Sequence, residues 1–484
     1  MTLRQARPEP ATVLLPGFVG TTLPDWLAAR LRGGLAGVCL FGENIVSRGQ
    51  LRALTAAITA ANPNALIAID EEGGDVSRLY QREGSPFPGN ALLGRIDDLE
   101  LTAAVAAAVG TELRSVGVNL NFAPDVDINS NALNPVIGVR SFGTDTRLVA
   151  RHSAAWVAAH EATGVAVSAK HFPGHGDTAQ DSHLALPVVD LPLSALLERE
   201  LLPFRAAVAA GARTVMSSHI LLPQLDAGNP ATFSSTILGG LLRGELGFDG
   251  VIVTDALDMV GASGATGIPE AAVRAIGAGC DLLCIGTRNT DEQLAAIEQA
   301  IEAAVAEGRL SAERLADAGS RTAALARSLA EGASAAGASA AASDGAETAD
   351  AASAEPAFDL ARSIAAFAVR PGVVVRERRT LVAIETQPNI AVGVSLWGPP
   401  VQARLREGEA LPAVDGQLVL LGRDNHRHAW VRALVDRARA AHPDALVVDL
   451  GWPDETRDYA DVATFGASAH VSAALAAWLG EEAR

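Results

Sequence analysis

One stretch of the chain concentrates the side chains that could carry chemistry. Residues 170–177 are Lys-His-Phe-Pro-Gly-His-Gly-Asp, and an Asp-Ser-His triplet follows at 181–183. The apolar run before them, residues 164–169, is typical of a short buried strand, and the proline and two glycines that follow bend the backbone and exclude a helix. The sequence therefore predicts a loop rich in ionisable groups at the end of a rigid strand, a common place for binding and catalytic residues.

Within that loop, His183 is suited to moving a proton. Its imidazole titrates near neutrality when unperturbed, so it can give a proton to a leaving oxygen and later take one from water. Asp181 lies two residues away and can hold the imidazole in one tautomer and orientation. The pair predicts general acid/base chemistry.

Two aspartates follow other apolar runs. Asp70 ends one run and is followed by Arg78; a carboxylate and a guanidinium so placed can hydrogen-bond the hydroxyl groups of a ligand, although a plain Asp70–Arg78 ion pair is the alternative. Asp255 ends the run 250–254. Its residue type and position are those of an N-cap for a helix that starts at Ala256.

The elements that position these residues follow from the pattern of apolar runs. Eight runs rich in Val, Ile and Leu alternate with Ala-rich helical stretches in residues 1–330. The predicted strands are Val13–Gly17, Gly37–Phe41, Leu66–Asp70, Val118–Pro124, Val165–Lys170, Thr214–His219, Val251–Asp255 and Leu282–Gly286. Strands that are apolar throughout and alternate with helices indicate a parallel sheet covered on both faces. Eight such units predict an α/β fold with a closed (β/α)₈ barrel of the TIM type.

The barrel would gather the ionisable residues, because all the strands of such a barrel end at the face that carries the active site. The residues that follow predicted strands are Asp70, Asp125, Lys170, His171, His219 and Asp255. Dinucleotide binding is not expected, since the first strand is not followed by a Gly-x-Gly-x-x-Gly turn.

Beyond the barrel, the composition changes abruptly. Residues 331–356 are almost entirely Ala, Ser, Gly, Asp, Glu and Thr, too polar and small to bury a core, and predict a flexible linker. Apolar runs return in residues 357–484 and predict a small α/β domain. The histidines of that domain form no metal-ligand spacing and are expected at its surface.

Composition excludes several classes of function. The chain has 484 residues and a formal net charge of −18, which argues against nucleic-acid or anionic-membrane partners. It has no apolar run long enough to span a bilayer and no signal-peptide pattern, so a cytoplasmic location is expected. The three cysteines lack a CxxC spacing and predict buried free thiols.

A metal site remains an alternative reading of the histidine-rich loop. It would draw on His171, His175, His183, His219 and Asp255. None of their spacings matches a known ligand motif, so no metal is expected.

The motifs together resemble one family. Residues 170–176 with 181–183, the run 70–78, the loop 134–143 and the strand 250–255 are similar to signatures of the β-N-acetylglucosaminidases of glycoside hydrolase family 3. The resemblance implies a nucleophile at Asp255, an acid/base at His183 oriented by Asp181, and no cofactor. It assigns substrate binding to Asp70, Arg78, Arg140, Lys170 and His171. Many family members have a second aspartate where Ala256 stands, but the nucleophile is the first.

The expected activity is retaining hydrolysis of terminal β-linked N-acetylglucosamine from peptidoglycan fragments or related glycosides. Three alternatives remain: a phosphorylase using the same residues, a β-glucosidase of the wider family, and an aminosugar-binding protein without turnover. The expected partner is a small carbohydrate. The sequence predicts neither the preferred aglycone nor the oligomeric state.

Overall fold

The structure, a computed structural model, describes residues 9–180, 182, 185–264, 266–343, 358–386, 391–392 and 398–480. Asp181 and His183 lie outside the described residues. The chain divides into two compact units. Unit 1 comprises Met1–Glu71, Leu99–Ile128 and Asp145–Ala351, and unit 2 comprises Glu72–Asp98, Asn129–Thr144 and Ala352–Arg484.

Unit 1 is built on eight short strands, each buried along its whole length. They are β1 Leu14–Pro16, β2 Gly37–Leu40, β3 Leu66–Ile69, β4 Leu120–Asn121, β5 Ala166–Phe172, β6 Thr214–Ser217, β7 Val251–Thr254 and β8 Leu283–Gly286. Strands β2 to β7 form a parallel sheet in chain order, and β1 pairs in parallel with β8. A parallel bridge between Val253 and Leu282 connects β7 to the start of β8. The predicted α/β fold of the TIM type is confirmed.

Helices alternate with these strands. The α-helices of unit 1 are Asp25–Arg32, Arg48–Ala61, Leu99–Ser115, Thr146–Glu161, Leu193–Ala195, Leu201–Ala209, Val260–Ser263, Ile268–Ala278, Asp291–Ala306 and Ala312–Ser343, with π-helical stretches at Leu196–Glu200 and Thr236–Glu245 and 3₁₀ turns at Pro10–Val13, Gly42–Asn44 and Ala231–Phe233. Several begin where the sequence supplies a cap: Ser47, Asp145 and Thr290 each accept a backbone N–H of the first turn.

The last helix of unit 1 continues into the segment predicted as a linker. It includes residues 331–343, because alanine has the highest helix propensity and extends a helix that is already nucleated. Residues 344–357 lie outside the described part of the chain.

The barrel interior is apolar and contains two of the cysteines. Cys39, Cys284, Phe122, Met216 and Val253 belong to one buried cluster. All three cysteines are buried and free, as predicted, and burial raises the pKa of the Cys280 thiol to about 12.

Unit 2 contains a mixed six-stranded sheet. Its strands are β9 Ala368–Val369, β10 Arg379–Ile384, β11 Ala403–Leu405, β12 Gln417–Gly422, β13 Leu446–Asp449 and β14 Val462–Ala463, in the order β11-β10-β12-β13-β14-β9. All neighbours are parallel except β14 and β9. The α-helices are Asn90–Ile96, Leu360–Ala365, Ala429–Ala441 and Ala469–Leu479, with 3₁₀ turns at Gly138–Arg140 and Asn425–Arg427. The predicted small α/β domain is confirmed.

Two segments that the predicted boundary at residue 330 places with the barrel belong to unit 2 instead. They are the chain that follows β3 (72–98) and the chain that follows β4 (129–144). Leu92 packs in one buried cluster with Leu381 and Val419, and Val139 packs beside Phe465 in another. Their apolar residues are buried with the second sheet, so contiguity in sequence is a poor guide to the division here.

One histidine of the C-terminal domain is buried. His470 is 7% exposed, and its Nε2 lies 2.8 Å from Ser363 Oγ, so the expectation of a surface histidine is wrong for this residue.

Among the described residues, no helix combines the length and apolarity needed to cross a membrane.

Candidate active site

Lys170 and Asp70 form a charged pair at the carboxyl ends of β5 and β3. Lys170 Nζ lies 2.7 Å from Asp70 Oδ1, and the two side chains are 2% and 18% exposed. A lysine this buried needs a countercharge, and Asp70 supplies it. Arg78 donates to the Ala391 carbonyl oxygen at 3.1 Å. Asp70 therefore has an ion pair with Lys170.

His171, next along β5, is held by Asp127. Its Nδ1 lies 2.7 Å from Asp127 Oδ2, and the backbone N–H groups of His171 and His175 also donate to this carboxylate, at 3.2 and 2.7 Å. Because a carboxylate only accepts, Nδ1 carries the proton and the ring orientation is fixed. Asp127 is 1% exposed, so it is a buried support of His171, a role that the sequence analysis did not assign.

Asp125 completes a buried group with these two. Single ligand-type atoms of Asp125, Asp127 and His171 lie within 4.8 Å of one another, the one such group among the described residues. Asp127 already receives three N–H donors, which explains its burial without an ion. The group shares only His171 with the metal site considered from sequence.

The turn after β5 is connected to Thr178 and Ser182 by His175. His175 contacts Thr178 Oγ1 through Nδ1 at 3.0 Å and Ser182 Oγ through Nε2 at 2.9 Å. Ser182, which lies between the two predicted acid/base residues, is 2% exposed, and its carbonyl accepts the Gly261 N–H. A Cβ at Gly176 would lie 1.6 Å from the Ile128 carbonyl oxygen, so this turn requires glycine.

Glu200 is an ionisable neighbour of this turn that the sequence analysis missed. It ends the π-helical stretch, is 2% exposed and packs on Gly174. Arg199 bridges Glu200 and Asp177 at 2.5 and 2.6 Å. Burial nevertheless raises the pKa of Glu200 to about 7 against the lowering effect of Arg199, and the negative charge of Asp127 adds to the rise. In the sequence, Arg199 and Glu200 lie within an ordinary helical pattern, and nothing there indicates that Glu200 is buried beside the turn.

Asp255 follows β7 in a turn rather than at a helix start. Its N–H donates to the Ser217 carbonyl at 3.1 Å, and its Oδ1 accepts the Ala256 N–H at 2.7 Å. The next helix begins at Val260 and is preceded by Met259. The N-cap interpretation is therefore wrong, because residues 256–259 are not helical.

His219, buried at the end of β6, fixes this turn from the other side. Its Nε2 lies 3.1 Å from the Ala256 carbonyl oxygen, and its Nδ1 lies 2.9 Å from Thr232 Oγ1. A carbonyl can only accept, so Nε2 carries a proton and the imidazole donates to the peptide that follows Asp255.

Asp258 is a second carboxyl group near Asp255. Its Oδ2 accepts from Thr287 N at 2.8 Å. Although the residue as a whole is exposed, its carboxyl group is crowded by the backbone at Gly286. Desolvation of the carboxyl, and less so the charge of Asp255, raise the pKa of Asp258.

In unit 2, Arg140 is held by Glu72 in a two-pronged ion pair. Arg140 Nε and Nη2 lie 3.0 and 2.7 Å from the two Glu72 oxygens, and the side chains are 4% and 2% exposed. The Val136 carbonyl accepts from Arg140 Nη1 at 3.2 Å. A planar guanidinium matched to both carboxylate oxygens is rigidly oriented, so the position of this side chain is fixed by Glu72.

The predicted site residues thus fall into three groups. Asp70, Lys170, His171 and Asp255 lie in unit 1; Arg78 and Arg140 lie in unit 2; Asp181 and His183 lie outside the described residues. Asp127 and Glu72 are the carboxylates that hold His171 and Arg140, and His219 holds the turn of Asp255.

Residues 23–325 match the family "Glycosyl hydrolase family 3 N terminal domain". Beta-hexosaminidase A of Pseudoalteromonas piscicida is 39% identical over 340 residues, covering 64% of this chain and 56% of that protein. The chain therefore spans little more than half the length of this relative.

Two other proteins are matched over most of their length. Beta-hexosaminidase of Stenotrophomonas maltophilia is 38% identical over 299 residues, covering 59% of this chain and 87% of that protein. The structure of a glycoside hydrolase family 3 β-N-acetylglucosaminidase from Paenibacillus sp. is 30% identical with a TM-score of 0.83, covering 99% of this chain and 97% of that one. The chain therefore belongs to glycosyl hydrolase family 3, as its motifs predicted, and these relatives within that family are β-hexosaminidases and a β-N-acetylglucosaminidase.

Proposed function

We propose that the protein is a retaining β-N-acetylhexosaminidase that removes terminal β-linked N-acetylglucosamine from small glycosides, peptidoglycan fragments among them. The observation that carries the proposal is the turn of Asp255. This carboxylate follows β7 at the carboxyl ends of the barrel strands, outside any helix, in a turn fixed by Ser217 and His219. Active sites of such barrels lie at this face, and relatives 38–39% identical are β-hexosaminidases.

The sugar is bound by residues that arrive already oriented. Asp70 accepts hydrogen bonds from the hydroxyl groups of the sugar while Lys170 compensates its charge, and His171 is oriented by Asp127. Arg140, locked to Glu72, and Arg78 supply further donors. Groups held in place before binding lose little entropy when the sugar arrives.

The reaction proceeds in two displacements. Asp255 attacks the anomeric carbon while His183, oriented by Asp181, gives its proton to the leaving glycosidic oxygen, so that the C–O bond breaks as a glycosyl ester forms. The neutral His183 then takes a proton from water, which attacks the anomeric carbon and releases the Asp255 carboxylate. The two inversions retain the β configuration.

One assay tests the proposal against its alternatives. The protein is incubated with p-nitrophenyl β-N-acetylglucosaminide, with and without inorganic phosphate, and the sugar product is identified. Release of N-acetylglucosamine at a rate independent of phosphate is the expected result. Formation of the sugar 1-phosphate would identify a phosphorylase. Faster turnover of p-nitrophenyl β-glucoside, assayed in parallel, would identify a β-glucosidase. Binding of the sugar without release of product would identify a sugar-binding protein.

The peptidoglycan substrate needs its own comparison. The disaccharide of N-acetylglucosamine β-1,4-linked to N-acetylmuramic acid is set against N,N′-diacetylchitobiose, which has the same non-reducing sugar. A higher kcat/KM on the muramic acid disaccharide is expected if peptidoglycan fragments are the substrate. Equal values would remove the peptidoglycan assignment and leave the hexosaminidase activity in place.

A further inference from the structure

The loop that carries Arg140 is fastened by an arginine almost three hundred residues further along the chain. Arg427, in the 3₁₀ turn after β12, donates Nη2 to the Leu133 carbonyl at 2.8 Å and Nη1 to the Asn134 carbonyl at 2.5 Å. A single planar guanidinium therefore spans two consecutive peptides. Lysine, with one point of donation, could not reproduce this geometry.

The fastened residue in turn shapes the loop around Arg140. Asn134 is 2% exposed, and its Oδ1 accepts the N–H groups of Val136 and Ile137, both at 2.8 Å. The Val136 carbonyl is the acceptor for Arg140 Nη1. The path from Arg427 to the guanidinium of Arg140 therefore runs through one asparagine and one peptide.

Glu72, the ion-pair partner of Arg140, lies in a segment that residues of the C-terminal domain also hold. Arg423 Nη2 lies 2.5 Å from Asp75 Oδ2, and the backbone N–H of Ala467 donates to Asp75 Oδ1 at 2.7 Å. Asp75 is 4% exposed and lies three residues after Glu72, whose N–H bonds back to the Val76 carbonyl. Asp75, in the short hairpin that begins at Glu72, is thus held in place by residues 423 and 467.

Apolar packing adds a third attachment. Val139, immediately before Arg140, packs in the cluster that contains Ala91, Phe465 and Trp452. The Asn90 side chain donates to the Arg140 carbonyl at 2.7 Å. Both the backbone and the side chain of Arg140 therefore depend on residues of unit 2.

We propose that Arg427 and Arg423 are positioning residues for sugar binding: they hold the two chain segments whose Arg140–Glu72 ion pair presents a guanidinium to the substrate. The C-terminal domain thereby takes part in substrate recognition without touching the sugar. This rests on the proposed function, in which Arg140 binds the sugar. A preorganised donor strengthens the binding of the ground state and of the transition state alike. Its loss should therefore raise KM more than it lowers kcat.

The test compares Arg427→Ala with Arg439→Ala. Arg439 is a matched control, because it also donates to a backbone carbonyl, that of Asp458, and to a carboxylate, Asp461, but within the C-terminal segment. Amide hydrogen exchange of residues 129–144 should accelerate at least about tenfold in Arg427→Ala and stay unchanged in Arg439→Ala. KM for p-nitrophenyl β-N-acetylglucosaminide should rise about tenfold in Arg427→Ala, with kcat changed less than about threefold.

Arg427→Lys covers the case in which the alanine variant does not fold, and it should give intermediate exchange rates and an intermediate KM. Exchange in residues 129–144 equal to that of Arg439→Ala would overturn the proposal. Faster exchange with unchanged KM would overturn it as well, because Arg427 would then hold the loop without affecting sugar binding. A wild-type protein that hydrolyses no hexosaminide would signal the separate failure of the proposed function, and the exchange comparison would still decide whether Arg427 holds the loop.

Discussion

Lys170 Nζ lies 2.7 Å from Asp70 Oδ1, and 2% of the lysine side chain is exposed. The two residues are one hundred positions apart, on strands that β4 separates in the sheet. The attraction between the two charges offsets the cost of removing each of them from water. The pair is therefore a structural element, and in the proposed function it also binds the sugar.

Lys170→Met should separate these two roles. Removing the ammonium leaves the Asp70 carboxylate partly buried without its cation, which should lower the free energy of unfolding by about 3 kcal/mol, measured by urea denaturation at pH 7. The double variant Lys170→Met/Asp70→Asn should recover part of that loss, because both charges of this pair are then absent, while activity stays low. A double variant as unstable as the sum of the two single variants would contradict the coupling.

The fold could be predicted because its signal is local. Each of the eight strands described in unit 1 lies in a short, mainly apolar run of the sequence, and each is buried throughout. The strands β9, β11 and β14 of unit 2 were missed, since two or three residues carry no periodicity. Val139 and Leu92 were assigned to the wrong unit because nothing in their own segments identifies the sheet that buries them.

The supports of the site could not be predicted because they depend on partners distant in sequence. Asp127 looks like any polar residue after a strand until β5 brings His171 to it. Glu200 lies within an ordinary helical pattern, and its significance comes from the burial that Gly174 and the π-helical stretch create. The choice between N-cap and catalytic residue for Asp255 required the start of the next helix, and residues 256–259 contain no breaker that would locate it.

Asp255→Asn should lower kcat at least about 10³-fold, since an amide cannot form the glycosyl ester. The melting temperature should stay close to that of the wild type, because Oδ1 still accepts the Ala256 N–H. A slow 2-fluoro glycoside should leave a sugar adduct on the wild-type peptide that contains Asp255, detected by mass spectrometry. An adduct on Asp258 would show that the nucleophile had been misassigned.

Glu200→Gln should change how stability depends on pH. The pKa of Glu200 is about 7 in the folded protein against an ordinary value of 4.5, so between these values the folded state retains a proton that the unfolded chain releases. The contribution of Glu200 to stability is therefore greatest below pH 4.5 and is lost as the pH rises through 7, by about 3 kcal/mol at most. The glutamine variant lacks this loss, so its free energy of unfolding relative to the wild type should rise from pH 5 to pH 8.

Glu198→Gln is the control for that measurement, because Glu198 lies two residues earlier and is exposed. Its curve of unfolding free energy against pH should run parallel to that of the wild type. If the Glu200→Gln curve were parallel too, Glu200 would be ionised in the folded protein across this range, and the Arg199 ion pair would outweigh burial.

His183→Ala should penalise substrates according to how much their leaving group needs a proton. A sugar hydroxyl leaves poorly without one, whereas p-nitrophenolate leaves readily, so activity on N,N′-diacetylchitobiose should fall about 10²–10⁴-fold further than activity on the nitrophenyl glycoside. Asp181→Ala should give the same pattern more weakly, because the imidazole remains but is poorly oriented. Azide should restore turnover of the nitrophenyl substrate, since it attacks the glycosyl ester without a base.

Equal loss on both substrates with no azide rescue would make His183 a binding or structural residue, and another group would have to donate the proton. Glu72 is held by Arg140, and Asp177 by Arg199. Asp258 is the next candidate, because desolvation of its carboxyl group and, less strongly, the charge of Asp255 raise its pKa. Asp258→Asn would then show the leaving-group dependence expected of His183→Ala, and the same two substrates would reveal it.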